Sequence, residues 1–238
     1  MSSAAQPCAF NSRSPVSTDD IPLPAGFRQR LERLLQAGSR RVLGLAGPPG
    51  CGKSTLAALL QQWLGAQAQV LPMDGFHLAN AELQRLGLAQ RKGAPESFDS
   101  AGYVALLRRL RTQGLTDVVY APDFRREIDE PVAGSIAVLP QTQLLITEGN
   151  YLLLDDGHWA DVPSLLDEVW YIEVEQDLRL ARLCERHVRF GRSSEAAQHW
   201  IHTSDEPNAR LVEASRARAD VVFRWSAIQP PHLAQETA

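Results

Sequence analysis

The sequence predicts an α/β fold built on a mostly parallel sheet. Three observations carry this expectation: continuous apolar runs, amphipathic stretches alternating with them, and a glycine-rich turn after the first run. The runs RVLGLAG, QLLITEG and EVWYIEV lack the polar alternation of a half-exposed strand. Strands covered on both faces by helices read in this way.

Taken in order, FRQRLERLL puts Phe27, Leu31, Leu34 and Leu35 on one face of a first helix that stops before Gly38. RVLGLAG is the first strand. STLAALLQQWL then carries Leu56, Leu59, Leu60, Trp63 and Leu64 at helical spacing, and AQVLPMD reads as a second strand. Tyr103, Leu106, Leu107 and Leu110 mark a further helix, capped near Asp99 or Ser100. QLLITEG and EVWYIEV follow as strands, residues 177–190 as a helix, and ADVVFRW as the last strand. The stretch DVVYAPDFRREIDEPVAGSIAVLP mixes turn residues, apolar runs and charges, so an irregular or hairpin insertion is expected at about 117–140.

The 238 residues suffice for one such domain, placed at 25–228 between tails at 1–24 and 229–238. Apolar residues make up 44% and charged residues 22%, as in ordinary soluble proteins. A net charge of −4 and a pI near 5.9 give no electrostatic footprint for nucleic acid. No apolar run is long enough to span a bilayer, and the first twenty residues lack the apolar block of a secretory signal. Cys8, Cys51 and Cys184 are too few and too scattered for a disulfide framework, so the cytoplasm is the expected compartment.

Residues 47–54 spell GPPGCGKS, the phosphate-loop pattern G-x-x-x-x-G-K-[ST], with a strand before it and a helix after it. Glycines let backbone N–H groups turn toward phosphate oxygens, and the following helix points its positive end at the anion. Gly47, Pro48, Pro49, Gly50, Cys51, Gly52, Lys53, Ser54 and Thr55 are therefore the expected nucleotide contacts. Lys53 supplies charge to the terminal phosphates, and Ser54 offers a hydroxyl to Mg²⁺. The fold expectation sharpens to a three-layer P-loop NTPase sandwich with a helical lid.

Three kinds of P-loop protein compete. A GTPase should carry N-K-x-D, which the chain lacks. A motor ATPase usually shows an Asp-Glu pair after an apolar strand, whereas residues 144–147 lead to the single acid Glu148. A kinase needs a base for the acceptor hydroxyl, a Mg²⁺ site and arginines for the transferred phosphoryl group. Asp74 closes a strand expected beside the phosphate-loop strand and suits the base; Glu148 suits the metal or its waters. Arg179, Arg182, Arg186 and Arg189 share one helical face, opposite Leu180, Leu183, Cys184 and Val188, ahead of a lid at about 186–206. The plainer alternatives are an Asp-Gly turn, a strand-end glutamate and a solvated basic face. His77 can equally be a polar bystander, and His199 with His202 reads as a surface pair.

These residues resemble the phosphoribulokinase, uridine kinase and bacterial pantothenate kinase group of P-loop kinases over residues 41–225. GPPGCGKST, MDGFH, KGAPESFD, VYAPDF, LLITEGNYLLL, RLARLCERHVRFGRS and ADVVF occur in that group's order. The resemblance implies Asp74 as base, Glu148 as helper of Mg²⁺, and Arg186, with Arg182 nearby, on the phosphates of ATP. Two departures stand out: His187 replaces the aspartate typical of uridine kinases, and the lid is shorter between Val188 and Gly191. The KGAPESFD stretch is closer to pantothenate kinases and the lid to uridine kinases. The whole is most similar to bacterial proteins described as nucleoside, nucleotide or sugar kinase-like.

The implied activity is ATP-dependent phosphorylation of a hydroxyl on a nucleoside, a sugar or pantothenate. His77, Lys92, Tyr120, Arg125 and Arg126 are the acceptor-side candidates beside Asp74. The expected partner is a small hydroxyl acceptor, not nucleic acid or membrane, and a homodimer is left open. The competing class is a P-loop ATPase that couples turnover to a partner protein.

Overall fold

The computed structural model describes residues 23–225 except position 115. The expected tails fall almost wholly outside these residues. Five strands form one parallel sheet: β1 (Arg41–Ala46), β2 (Ala68–Pro72), β5 (Leu144–Gly149), β6 (Glu168–Glu173) and β7 (Val221–Arg224), in the order β2-β5-β1-β6-β7. Two more, β3 (Val119–Arg125) and β4 (Glu130–Val138), pair as a separate antiparallel hairpin.

Helices cover both sheet faces because the strands are apolar on both. On one side α1 (Ala25–Leu35) and α2 (Lys53–Leu64) pack Leu31, Leu34, Leu56, Leu60 and Leu64 against Leu43, Leu45, Ile146 and Trp170. On the other, α4 (Ser100–Arg111) and α7 (Glu206–Ala214) contribute Tyr103, Leu107 and Val212 to a second core with Tyr151, Trp159 and Tyr171. Each such buried side chain contributes about 1.5–3 kcal/mol. The expected cap is present: Asp99 accepts a hydrogen bond from the Gly102 amide at 2.8 Å. The remaining helices are α3 (Asn80–Arg85), α5 (Gln176–Arg189) and α6 (Ser194–Trp200), with a π turn at Ile201–Asp205 joining α6 to α7.

Two expectations need correction. β2 does not lie beside β1; β5 stands between them. Chain order cannot reveal order across a parallel sheet, but Gln69 and Pro72 do mark β2 as an edge strand, whereas β5 is buried throughout. Nor does Asp74 end a strand. β2 stops at Pro72, and Asp74 sits in a 3-10 turn, Met73–Phe76, just beyond it.

Thr147 ties the strands that lead into the site. Its hydroxyl donates to Leu71 O at 2.8 Å and accepts from the Tyr103 hydroxyl at 2.6 Å, all within the core. Thr147→Val should destabilise by about 1–3 kcal/mol, because Leu71 O and the Tyr103 hydroxyl both lose their partner. Tyr103→Phe should cost about 1 kcal/mol, since Thr147 still satisfies Leu71 O. Urea unfolding of both variants checks the order; equal costs would contradict this division of roles.

Candidate active site

β1 runs into the phosphate loop, and the loop runs into α2. Gly50 takes φ +81, and a Cβ there would meet Arg179 O at 2.9 Å, so glycine serves both the turn and the approach of α5. Lys53, 7% exposed, donates to Gly47 O at 2.8 Å, Pro48 O at 3.1 Å and Asn150 Oδ1 at 2.8 Å. Ser54 Oγ donates to Glu148 Oε1 at 2.9 Å. Cys51 is fully buried, and burial pushes its thiol up, so it fills the loop rather than reacting.

The turn after β2 brings Asp74 to the same edge, two strands over from the loop, with β5 between. Pro72 pairs with Glu148 in the sheet register, so the two carboxylates leave neighbouring strands. Gly75 permits the next layer: a Cβ there would stand 2.4 Å from Pro122 O, so the β3–β4 hairpin packs backbone to backbone on the Asp74 turn. Arg126, in the hairpin tip, then reaches Asp74 Oδ2 at 3.3 Å. His77 lies between Phe98 and Phe124, with ring centroids 4.0 and 4.7 Å away. Its Nδ1 faces Asp74 O at 2.8 Å; a carbonyl only accepts, so Nδ1 carries the proton.

Electrostatics divides the two carboxylates. Burial pushes Glu148 up and the Asp74 charge adds to this, while Lys53, the Ser54 hydrogen bond and Arg126 oppose without prevailing. Burial also pushes Asp74 up, but His77, Arg126, Lys53 and Arg186 together hold it below the ordinary carboxylate range. Burial keeps His77 below its usual value, so near neutral pH the arginines and the lysine carry that effect. Asp74 is the ionised member of the pair and Glu148 the more easily protonated one.

The arginine stripe separates into four roles. Arg179 is 3% exposed, pairs with Glu206 and reaches Pro49 O at 3.4 Å. Arg186 is half-buried and feels the charges of Arg126, Asp205, Asp74 and Glu148, and partial burial lowers its pKa from the ordinary arginine value. Arg182 is half-buried, and Arg189 forms an exposed pair with Glu185. Of the apolar face, Leu183 is buried, Leu180 and Cys184 are half-buried and Val188 is 45% exposed, because α5 turns Arg179 and Leu183 toward the phosphate loop. His187, the departure from the uridine kinase pattern, bonds Asp205 at 2.7 Å and joins α5 to the π turn.

The acceptor-side candidates do not all converge. His77 and Arg126 adjoin Asp74. Tyr120 is 60% exposed, and Arg125 is exposed with its nearest acid, Asp123, 3.9 Å away. The Lys92 ammonium is taken up by Asn80 Oδ1, Asp129 O and Asp129 Oδ2, each at 2.6 Å. Asp129 is also the one non-glycine residue with positive φ among the described residues, at 53°. Lys92 therefore pins a left-handed residue at the hairpin tip. Sequence reading missed Asn150, Asp205, Glu206 and Asn208; only Asn150 carried a signal, as the polar residue straight after the Glu-Gly pair.

Replacing Lys92 by Met should release that tip. Amide exchange across 125–131 should rise, with up to about 2 kcal/mol lost in stability. Unchanged exchange there would return Lys92 to the role of a substrate ligand.

Comparison with known proteins agrees with this arrangement. Residues 42–229 match the model of the phosphoribulokinase/uridine kinase family. A protein of Schizosaccharomyces pombe named as a candidate uridine kinase is 36% identical over 221 residues, covering 88% of this chain and 93% of that one. A pantothenate kinase of Mycolicibacterium vanbaalenii is 29% identical over 201 residues, covering 81% and 61%. The solved structure of a candidate fructose transport system kinase from a Silicibacter species is 41% identical with a TM-score of 0.74, over 82% of this chain and 95% of that one. On a match that spans most of its length, the chain belongs to the phosphoribulokinase/uridine kinase family of P-loop kinases.

Proposed function

We propose that the protein transfers the terminal phosphoryl group of ATP to a hydroxyl of a small polyhydroxylated or anionic metabolite. A nucleoside, a sugar and pantothenate are the candidate acceptors. The observation that carries this reading is the ionised Asp74 carboxylate at the sheet edge that also bears Lys53, Ser54 and Glu148.

A bond forms between the acceptor oxygen and the γ-phosphorus, the bond to the β-phosphate oxygen breaks, and ADP leaves. The acceptor's proton passes to Asp74 and then to solvent. A carboxylate whose pKa is lowered is a weaker base, which suits a loose transition state where the proton leaves late and position matters more than basicity. Ser54 and Glu148 are hard oxygen donors already paired, so they fit Mg²⁺, which would supply positive charge to the phosphates when bound. Lys53 and Arg186 add to that charge, and Arg186 is placed to act mainly as the transferred group becomes planar. Arg126 and His77 orient the acceptor beside Asp74. Such a polar, partly cationic site penalises an apolar alcohol, which leaves its donors unpaired.

The test is a screen of nucleosides, sugars and pantothenate for stimulated ADP release. Stimulation by one of them is expected; stimulation by a partner protein and by no small molecule would favour the coupled ATPase instead. With the acceptor so found, Asp74→Asn should lower transfer by about 10²–10⁴-fold while ATP affinity stays within a few-fold. Near wild-type turnover would reduce Asp74 to a turn residue.

Arg186→Ala should lower kcat more than it weakens ATP binding, and Arg182→Ala should do less of both. Negligible effects from both would mark solvated surface. Arg126→Ala should raise the acceptor KM by about tenfold or more through loss of a charged hydrogen bond, with little change in the KM for ATP. Arg125→Ala serves as the comparison, since Arg125 faces Asp123 at 3.9 Å rather than Asp74; equal effects from the two would contradict the geometry.

A further inference from the structure

The Lys53 ammonium has three N–H donors and no acceptor. Gly47 O, Pro48 O and Asn150 Oδ1 account for all three. Phosphate oxygens can engage the ammonium only by displacing at least one of these partners. Two are carbonyls of the phosphate loop itself. The third is a side chain 97 residues further along, directly after β5.

That side chain leads out of the nucleotide site. Its Oδ1 faces Lys53, and the residue bonded directly to it in the chain is Tyr151. Tyr151 is fully buried, and its hydroxyl donates to Gly93 O. The same carbonyl accepts from Asn208 Nδ2, at 3.3 Å, from α7. Gly93 follows Lys92, the residue that pins the hairpin tip at Asp129. Two consecutive residues, Asn150 and Tyr151, thus join the phosphate loop to the segment holding the cover over Asp74. Because the two residues are adjacent in the chain, a shift of Asn150 off Lys53 moves the backbone that carries Tyr151, whose buried hydroxyl is held to Gly93 O.

We propose that Asn150 is a positioning residue that holds Lys53 until phosphate takes its place, and that it relays this exchange through Tyr151 to the Gly93 loop. The relay rests on the phosphoryl-transfer reading only in taking the loop's ligand to be a phosphate. A neutral amide suits the task, because it orients the ammonium yet yields to an anion. A carboxylate in its place would compete, since an ionised acceptor bonds an ammonium about twice as strongly as a neutral one.

Hydrogen–deuterium exchange and calorimetry on the full chain, with Mg²⁺ and a non-hydrolysable ATP analogue, test this. In wild type the analogue should slow exchange in the phosphate loop and also alter it at 92–98 and 124–131. Tyr151→Phe keeps the Asn150–Lys53 contact, so its affinity should stay within about threefold of wild type and its loop protection should persist. Its remote response should vanish. Asn150→Asp should weaken analogue binding by about tenfold or more. A full remote response in Tyr151→Phe would overturn the relay, and wild-type affinity in Asn150→Asp would overturn the positioning role. In either case nucleotide binding by wild type leaves the phosphoryl-transfer reading standing; wild type that binds no nucleotide would overturn both.

Discussion

Two carboxylates and three cations share one sheet edge, and each set offsets the charge of the other. Asp74 and Glu148 leave adjacent strands, so a carboxylate pair is forced together wherever β2 and β5 align. Like charges at such range raise each other's pKa, and burial adds to that. Lys53, Arg126 and Arg186 converge from the phosphate loop, the hairpin and α5, and they keep Asp74 ionised. Lys53, the buried cation of the three, would in turn be costly to leave unpaired.

Most of the molecule's other features serve that convergence. Thr147 fixes β5 to β2 and so sets the spacing of the two acids. Gly75 lets the hairpin come close enough for Arg126 to arrive, and Lys92 keeps the hairpin tip in place. The pair of contacts Arg179–Glu206 and His187–Asp205 ties α5 to the π turn and α7, which holds Arg186 over the edge. A π turn is a costly irregularity. Here it delivers Asp205 and Glu206, two consecutive acids, to two residues of α5.

Much of this was legible in the sequence, and the remainder was illegible for identifiable reasons. The phosphate loop is written in consecutive residues, so Lys53 and Ser54 could be assigned directly. The apolar runs gave the strands, and helical spacing gave α1, α2, α4 and α5. Strand order could not be read, because a parallel crossover has the same local pattern whether it skips a strand or not. The separate roles along α5 could not be read, because helical spacing groups the four arginines without showing that Arg179 is buried against the loop and paired with Glu206. Lys92 illustrates the same limit. Its partners, Asn80 and Asp129, lie 12 and 37 residues away, and only the folded hairpin brings them to it.

The account stands on the phosphate loop receiving a nucleotide through the charge of Lys53. Isothermal titration of ATP in Mg²⁺ against wild type and Lys53→Ala tests that most directly, with thermal melting alongside. Wild type should bind, and the alanine variant should lose at least about tenfold in affinity while the melting curve shows it still folded at the titration temperature, because the lysine's charge is directed at phosphate. Equal affinities in the two proteins would contradict the account at its base.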